Sequence, residues 1–363
     1  MSIILFIILL AVLILVHELG HFLAAKWGGV RVDEFGIGFP PRIWGRKKGE
    51  TTYSVNAIPF GGFVKIFGEN PDEESISGEG SSRSIVNRPK YIQAIILAAG
   101  VLFNVIFAWI LISIGFMSGL PTPVSYGGSV PVENPRLVIV AIAPNSPAEK
   151  ALLRPGDSIT EVRTKKFLLN ELSPEGVSVF IEAHSDETIE MAYSRGNFSD
   201  EVAMIPEDGI VAGKKAIGIS MDMIGTLSLP LHLALWEGGK TTVGLISAIT
   251  VGLADFIGQS LSGKGSLDQI TGPVGIVGLV GNVTELGFIY LLSLAAFISI
   301  NLAVVNLLPF PALDGGRLIF LVIETVKGSR INSKIANGLN AVGFVLLIIF
   351  MIVVTVNDIL KIL

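Results

Sequence analysis

The 363-residue chain is 50% hydrophobic and 16% charged, with a mean hydropathy of +0.66, which excludes an ordinary soluble domain and points to a membrane protein carrying some soluble mass. Zero cysteines exclude disulfides and thiolate metal ligands, so any bound metal must use histidine and carboxylate. A net charge of -5 argues against nucleic acid as a partner.

The chain opens on an unbroken apolar run, Ile3 to Val16, and no Lys or Arg precedes Lys26, so residues 1–27 read as a first transmembrane helix and not as a cleaved signal. His17-Glu18-Leu19-Gly20-His21 follows the run directly. On a helix, His17 and His21 share a face and can hold one metal ion, while Glu18 lies off that face. In an H-E-x-x-H pattern the glutamate is the general base of a zinc hydrolase. Unpaired, these three side chains would cost several kcal/mol in hydrocarbon, and a bound dication removes that cost.

Residues 28–90 form a polar region, with Arg42, Arg46, Lys47 and Lys48 near the helix end, and the positive-inside rule makes it cytoplasmic. Thr51 to Ile58 and Phe63 to Ile66 read as strands paired across a turn at Pro59 and Gly61-Gly62, and with Gly36 to Pro41 they suggest a small sheet against the membrane face beside the histidines; residues 69–84 read as a polar loop. Residues 91–119 form a second transmembrane helix, in which Asn104 is an isolated amide, either a helix-packing hydrogen bonder or a site residue.

From Leu120 to Asn282 the chain carries 18 acidic and 11 basic residues, which suits the opposite side of the membrane. Here Leu137 to Ile142 and Ser158 to Val162 read as strands, with Pro147 to Leu152 as a short helix between them. Residues 230–282 read as a helix along the membrane surface followed by Gly272-Pro273-Val274-Gly275-Ile276. Residues 283–317 hold a third transmembrane helix, stopped by Pro309 and Pro311 ahead of Asp314-Gly315-Gly316, and residues 336–358 a fourth. Four spans put both termini outside.

Spans one and three must cross in the same direction, so their C-terminal ends share a face. His17, His21 and Asp314 can therefore meet, which fills the three-ligand requirement of catalytic Zn2+.

His17-Glu18-Leu19-Gly20-His21 taken together with Asn306-Leu307-Leu308-Pro309-Phe310-Pro311-Ala312-Leu313-Asp314-Gly315 resembles the site-2 protease family of intramembrane zinc metalloproteases, most closely its bacterial regulators of sigma-factor proteolysis. Ser146 to Asp157 resembles the helix and turn of a PDZ domain, with room for one such domain over 130–222. Two positions depart from the pattern: Leu152 stands where glycine commonly closes the PDZ helix, and Val101 where proline commonly follows Gly100.

The resemblance implies a polytopic α-helical membrane protein with a small cytoplasmic-face β-sheet and an extracytoplasmic PDZ-like α+β domain. It implies an enzyme of the bacterial plasma membrane that hydrolyses peptide bonds within transmembrane segments, such as those of anti-sigma factors or remnant signal peptides. Its partners would be those membrane substrates and the lipid bilayer, with no nucleic acid. His17, His21 and Asp314 would hold zinc and Glu18 would move the proton. Asn306 is the candidate oxyanion donor or substrate-backbone binder, with Asn301 a weaker one. Two other readings remain open: a membrane zinc peptidase cutting cytoplasmic-side segments, and a catalytically inactive PDZ scaffold.

Overall fold

The computed structural model describes residues 2–70, 72–126, 130–196, 198–211, 213–263, 265 and 270–362. Position 71 of the expected polar loop, and positions 264 and 266–269 of the expected segment 230–282, lie outside the described residues. The chain divides into two compact units, one of Met1–Ile114, Ala234–Thr284 and Leu291–Leu363, the other of Gly115–Leu233 and Glu285–Tyr290.

The first unit begins with α1 (Ser2–Trp27), a helix apolar on every side through Val16, as a helix surrounded by hydrocarbon must be. It is followed by two long strands, β1 (Val32–Lys48) and β2 (Thr51–Ile66). The two halves of β2 do not pair with each other as the sequence suggests. Both pair with β1 instead, Gly36 facing Phe63 on one side and Ser54 on the other. Each long strand bends back on itself, so four segments lie side by side in the order 62–66, 32–37, 51–56, 42–48. The sheet runs along α1: Gly61 sits against Ile14, Phe22 packs on Phe35 at 5.1 Å and Tyr53 at 6.1 Å, and Lys26 Nζ bonds Glu50 at 2.7 Å. Hydrogen bonds from Arg83 and Lys26 hold the Glu50 carboxyl down to about 2.

The polar stretch after the sheet contains α2 (Glu73–Ser77), which a capping box starts: Ser75 N–H donates to Asp72 Oδ1 at 2.8 Å and Asp72 N–H to Ser75 Oγ at 2.9 Å. Then comes α3 (Lys90–Met117), antiparallel to α1, since His17 lies beside Asn104 and His21 beside Ile96.

The second unit is a six-stranded sheet. It comprises β3 (Leu120–Pro123), β4 (Glu133–Ile142), β5 (Ser158–Arg163), β6 (Ile189–Arg195), β7 (Phe198–Met204) and β10 (Ile219–Leu227), in the order β3-β10-β4-β5-β6-β7. A separate pair, β8 (Glu207–Val211) and β9 (Lys214–Ala216), completes its strands. Inward residues of alternating strands, Leu137, Ile139, Ile159, Val162, Ile189 and Met191, form the core with Val177, Phe180 and Ile181 of α5 (Pro174–Ala183). The short α4 (Pro147–Lys150) starts at Ser146, whose Oγ accepts from Glu149 N–H, as Ser173 Oγ accepts from Gly176 N–H at the start of α5.

The remaining helices are α6 (Leu231–Leu261), α7 (Pro273–Leu286), α8 (Phe288–Asn306), α9 (Asp314–Lys327) and α10 (Ser333–Ile362). Among the described residues five helices are long and apolar enough to cross a membrane: α1, α3, α6, α8 and α10. These fit a multi-pass membrane protein, and α6 is the segment whose sequence suggests a course along the surface. Asp358, buried near the end of α10, accepts from Gly272 N–H at 3.1 Å and Gly275 N–H at 2.8 Å, which satisfies amides at the start of α7.

Candidate metal centre

His17 and His21 are one helical turn apart on α1, and both are buried, each 7% exposed. Each ring is steered through its Nδ1. His21 Nδ1 donates to the Ile96 carbonyl at 2.8 Å, which fixes the proton there and leaves Nε2 with a free lone pair. His17 Nδ1 faces the Asn104 side-chain amide at 3.3 Å. The amide nitrogen points at the ring while the buried Oδ1 has no partner. A half-turn of the amide, which leaves its shape unchanged, makes Oδ1 the acceptor for Nδ1–H and gives both histidines the same polarity. Ser299 Oγ on α8 donates to the Asn104 carbonyl at 2.8 Å and ties α3 to the helix that leads to Asp314.

Asp314 opens α9, where the amide ends of the helix favour a carboxylate. The tight return from α8 places it there. A Cβ on Gly315 would fall 2.3 Å from the Leu307 carbonyl oxygen, and one on Gly316 2.3 Å from that of Phe310, so no larger residue fits either position. Ala312 takes φ +77, a left-handed conformation that L residues avoid. Its N–H donates to Asn340 Oδ1 of α10 at 3.3 Å, which helps hold the strained turn.

His17 Nε2 and Asp314 Oδ2 are 3.0 Å apart, His21 Nε2 and Asp314 Oδ2 3.3 Å, and the two Nε2 atoms 3.2 Å. Three lone-pair donors at such distances repel unless a proton or a cation lies among them. A zinc ion with bonds of ~2.0–2.1 Å in tetrahedral geometry would hold its ligands about 3.3 Å apart, so the triangle has the size that one such ion needs. Gly100 on α3 keeps the space clear: a Cβ there would lie 2.3 Å from His21 Nε2 and 2.7 Å from His17 Nε2. Gly20 lets the helices approach this closely, since a Cβ on it would meet the Ala99 carbonyl oxygen at 2.4 Å. Among the described residues His17, His21 and Asp314 are the group of His and carboxylate side chains that could hold a metal ion.

Glu18 is next to the ligands but outside their triangle. Its Oε2 accepts from Val64 N–H at 3.0 Å, so the 62–66 edge of the sheet orients the carboxylate. Arg317, one turn past Asp314, pairs with Glu69. Asn306 ends α8, and among the described residues its side chain makes no hydrogen bond; Asn301 bonds the Phe297 carbonyl of its own helix at 2.8 Å. The structure thus brings the sequence-predicted His17, His21 and Asp314 together with Glu18 beside them, and adds neighbours to which the sequence reading gave no role: Gly100, the Ile96 carbonyl, the Val64 amide and Asn340. Of these only Gly100 left a sequence signal, as a glycine inside a strongly apolar helix, where it needs a packing reason.

A family model described as peptidase family M50 matches residues 5–350. The chain is 35% identical over 369 residues to a protein of Nostoc sp. (strain PCC 7120), covering 97% of this chain and 95% of the relative. It is 30% identical to the zinc metalloprotease RasP of Geobacillus kaustophilus, covering 99% of this chain and 98% of that protein. It is 28% identical to the regulator of sigma-W protease RasP of Bacillus subtilis, again covering 99% and 98%.

Proposed function

The chain belongs to peptidase family M50, the site-2 protease family, and from that premise we propose that it cuts peptide bonds within transmembrane segments of other membrane proteins. It is a zinc metalloprotease, and Zn2+ is its metal. The observation that carries the reading is the triangle of His17, His21 and Asp314 between apolar helices, with Glu18 beside it.

Zinc supplies Lewis acidity, activating water and polarising a peptide carbonyl. His17, His21 and Asp314 hold the metal. Glu18, positioned by Val64 N–H, takes the proton of the attacking water and returns it to the leaving amine. The substrate must first leave its helical conformation, because a spanning helix has its amides paired internally. The 62–66 edge of the sheet is the proposed seat for the unwound segment, which gains strand bonds there. The Val64 amide is already engaged by Glu18, so alternate edge positions receive the strand. Asn306, at the end of α8, is retained as the candidate oxyanion donor or backbone binder.

The proposed topology is four crossings with both termini outside, in a bacterial plasma membrane, and the helix directions bear on the number of crossings alone. α3 runs antiparallel to α1 and to α8, so the chain leaves α3 and enters α8 at the same side, and α6 as a lone crossing would break that parity. α6 therefore lies along the surface. Residues 130–222 form a PDZ-like domain that sorts substrates. A groove of about 100 Å³ between α5 and the start of β10, lined by Ser178, Ile181, Lys215, Ile217 and Ile219, supports that role. One relative, from Bacillus subtilis, is named a regulator of sigma-W protease, which makes anti-sigma factors the first substrate class to try, with remnant signal peptides the second.

The test is zinc content measured alongside cleavage of a model membrane-spanning substrate by the purified full chain. Glu18→Gln keeps one zinc per chain and loses about 10²–10⁴-fold in rate. His17→Ala and Asp314→Ala lose the metal as well. Zinc loss in Glu18→Gln equal to that in His17→Ala would remove Glu18 from the role of base.

A further inference from the structure

We propose that the outer edge of the β1–β2 sheet is a binding site for anionic phospholipid headgroups, formed by Arg46, Lys47 and Lys48 together with Trp44 and Tyr53. The site begins from depth. The sheet follows α1 from Ile14, against which Gly61 rests, to Lys26, which bonds Glu50. From position 14 to position 26 the helix climbs ~18 Å, so the two ends of the sheet stand at different levels of the bilayer. Its composition follows that gradient. At the Ile14 end the exposed side chains include Ile37, Phe39 and Ile58, each more than 40% accessible, and the one exposed cation there, Arg42, is paired with Glu34. At the Lys26 end the outer segment carries Arg46, Lys47 and Lys48, all exposed, one glycine after Ile43 and Trp44, which are 71% and 55% exposed. Apolar below, aromatic at the boundary and cationic above is the order a bilayer surface selects.

The acidic groups of the sheet are taken by other cations, and its remaining cation, Lys65, lies on the opposite edge. Asp33 pairs with Arg31, Glu34 with Arg42, and Glu50 with both Lys26 and Arg83. Among the described residues Arg46, Lys47 and Lys48 form no ion pair, so three adjacent cations have no anion from the protein. They line an open cavity of about 330 Å³ with Trp44 and Tyr53, and Arg46 stands directly across from Tyr53 in the sheet. Guanidinium and ammonium groups donate to phosphodiester oxygens, and indole and phenol sit at the level of the headgroups. Cations on an edge strand also prevent edge-to-edge pairing, but any charge serves that purpose. An exposed Trp and Ile beside them do not, and their presence favours a lipid surface. Headgroup binding here would fix the sheet whose opposite edge orients Glu18.

The test uses the zinc-loaded full chain in neutral detergent micelles, titrated by calorimetry with short-chain phosphatidylglycerol, phosphatidylcholine of the same chain length, or inorganic phosphate. Each cation near a lipid surface contributes on the order of fivefold, so phosphatidylglycerol is expected to bind about tenfold or more tightly than phosphatidylcholine. Added salt should weaken this preference. Arg46→Gln/Lys47→Gln/Lys48→Gln should lose it while keeping wild-type zinc content, and Lys47→Arg/Lys48→Arg should keep it. Equal binding of the two lipids, or a preference that survives in the triple glutamine variant, would overturn the proposal. Inorganic phosphate binding as tightly as phosphatidylglycerol would equally overturn it, by making the site one for a free anion.

Discussion

In the helical unit the buried polar side chains His17, His21, Asn104 and Ser299 converge on one place, whereas in the sheet unit the buried set is led by Leu137, Ile139, Val162, Ile189 and Met191. Burial carries different information in the two. Where the surrounding solvent is hydrocarbon, an apolar side chain is at home inside or outside, and the positions that specify the structure are polar atoms and missing Cβ atoms. Where the solvent is water, apolar burial drives folding, and a buried charge must be closed locally. Asp157 shows this: only 1% exposed, it accepts from Arg195 Nε at 2.6 Å and from Arg154 N–H at 2.8 Å.

The largest expected effect separates the two units. Asp157→Ala leaves Arg195 without its buried carboxylate and the Arg154 amide without its acceptor, and should destabilise the sheet unit by about 3–5 kcal/mol. Hydrogen exchange over β4, β5 and β6 should accelerate accordingly while zinc content stays at the wild-type value. Loss of zinc in step with the exchange would show that the two units unfold together and would blunt the contrast.

The converse variant acts on the helical unit. Gly100→Ala places a methyl group 2.3 Å from His21 Nε2, and moving α3 away to relieve it would open the close packing of Gly20 on the Ala99 carbonyl. Zinc affinity should fall about a hundredfold, ~2.7 kcal/mol, with exchange in β4 to β6 unchanged. Competition with a chelator measures it. An unchanged affinity would mean that the cradle is looser than the helix packing implies.

How much of this was legible in the sequence follows the same division. The donors stood out because ionisable groups in an apolar run demand a reason, and span direction brought Asp314 to them. The elements that hold the donors did not stand out. The Ile96 carbonyl and the Val64 amide are backbone groups carrying no residue signature, and Asn340 lies far along the chain. The sheet misled in a specific way: residues 51–58 and 63–66 look like a hairpin because Pro59 and Gly61-Gly62 mark a turn, yet 32–37 comes between them. A turn signal fixes where a strand bends, and not which strand fills the space beside it. The capping box of α2 was readable in Asp72 and Ser75, but polar composition suggested a loop instead.

A smaller effect tests whether the amide beside His17 is a positioning group. Asn104→Ala removes the partner of His17 Nδ1 and should lower zinc affinity about tenfold, ~1.4 kcal/mol. Asn104→Asp offers an acceptor of the same shape and should recover most of the affinity. If both variants bind zinc like the wild type, the amide has no positioning role, and the bond from Ser299 Oγ to the backbone carbonyl of residue 104, which neither variant removes, is what joins the two helices there.

The smallest effect lies in the sheet unit and should be a gain. Leu152 follows α4 with φ +61 and is 75% exposed, so its side chain sits in the conformation most costly to an L residue without recovering burial. A left-handed residue costs about 1–2 kcal/mol, and glycine gives back roughly 0.5–1 kcal/mol through its freer unfolded chain. Leu152→Gly should therefore stabilise the sheet unit by about 0.5–1 kcal/mol. The bond from Arg195 to the Leu152 carbonyl, 3.1 Å long, involves only the backbone of Leu152 and should persist. Slower hydrogen exchange in β4 to β6, with zinc affinity unchanged, is the measurement. Leu152→Ala is the control, because it removes the exposed side chain but keeps the left-handed strain and should gain nothing. Equal stabilisation by alanine and glycine would assign the effect to the exposed leucine and not to the backbone, and would detach this position from the glycine that commonly occupies it.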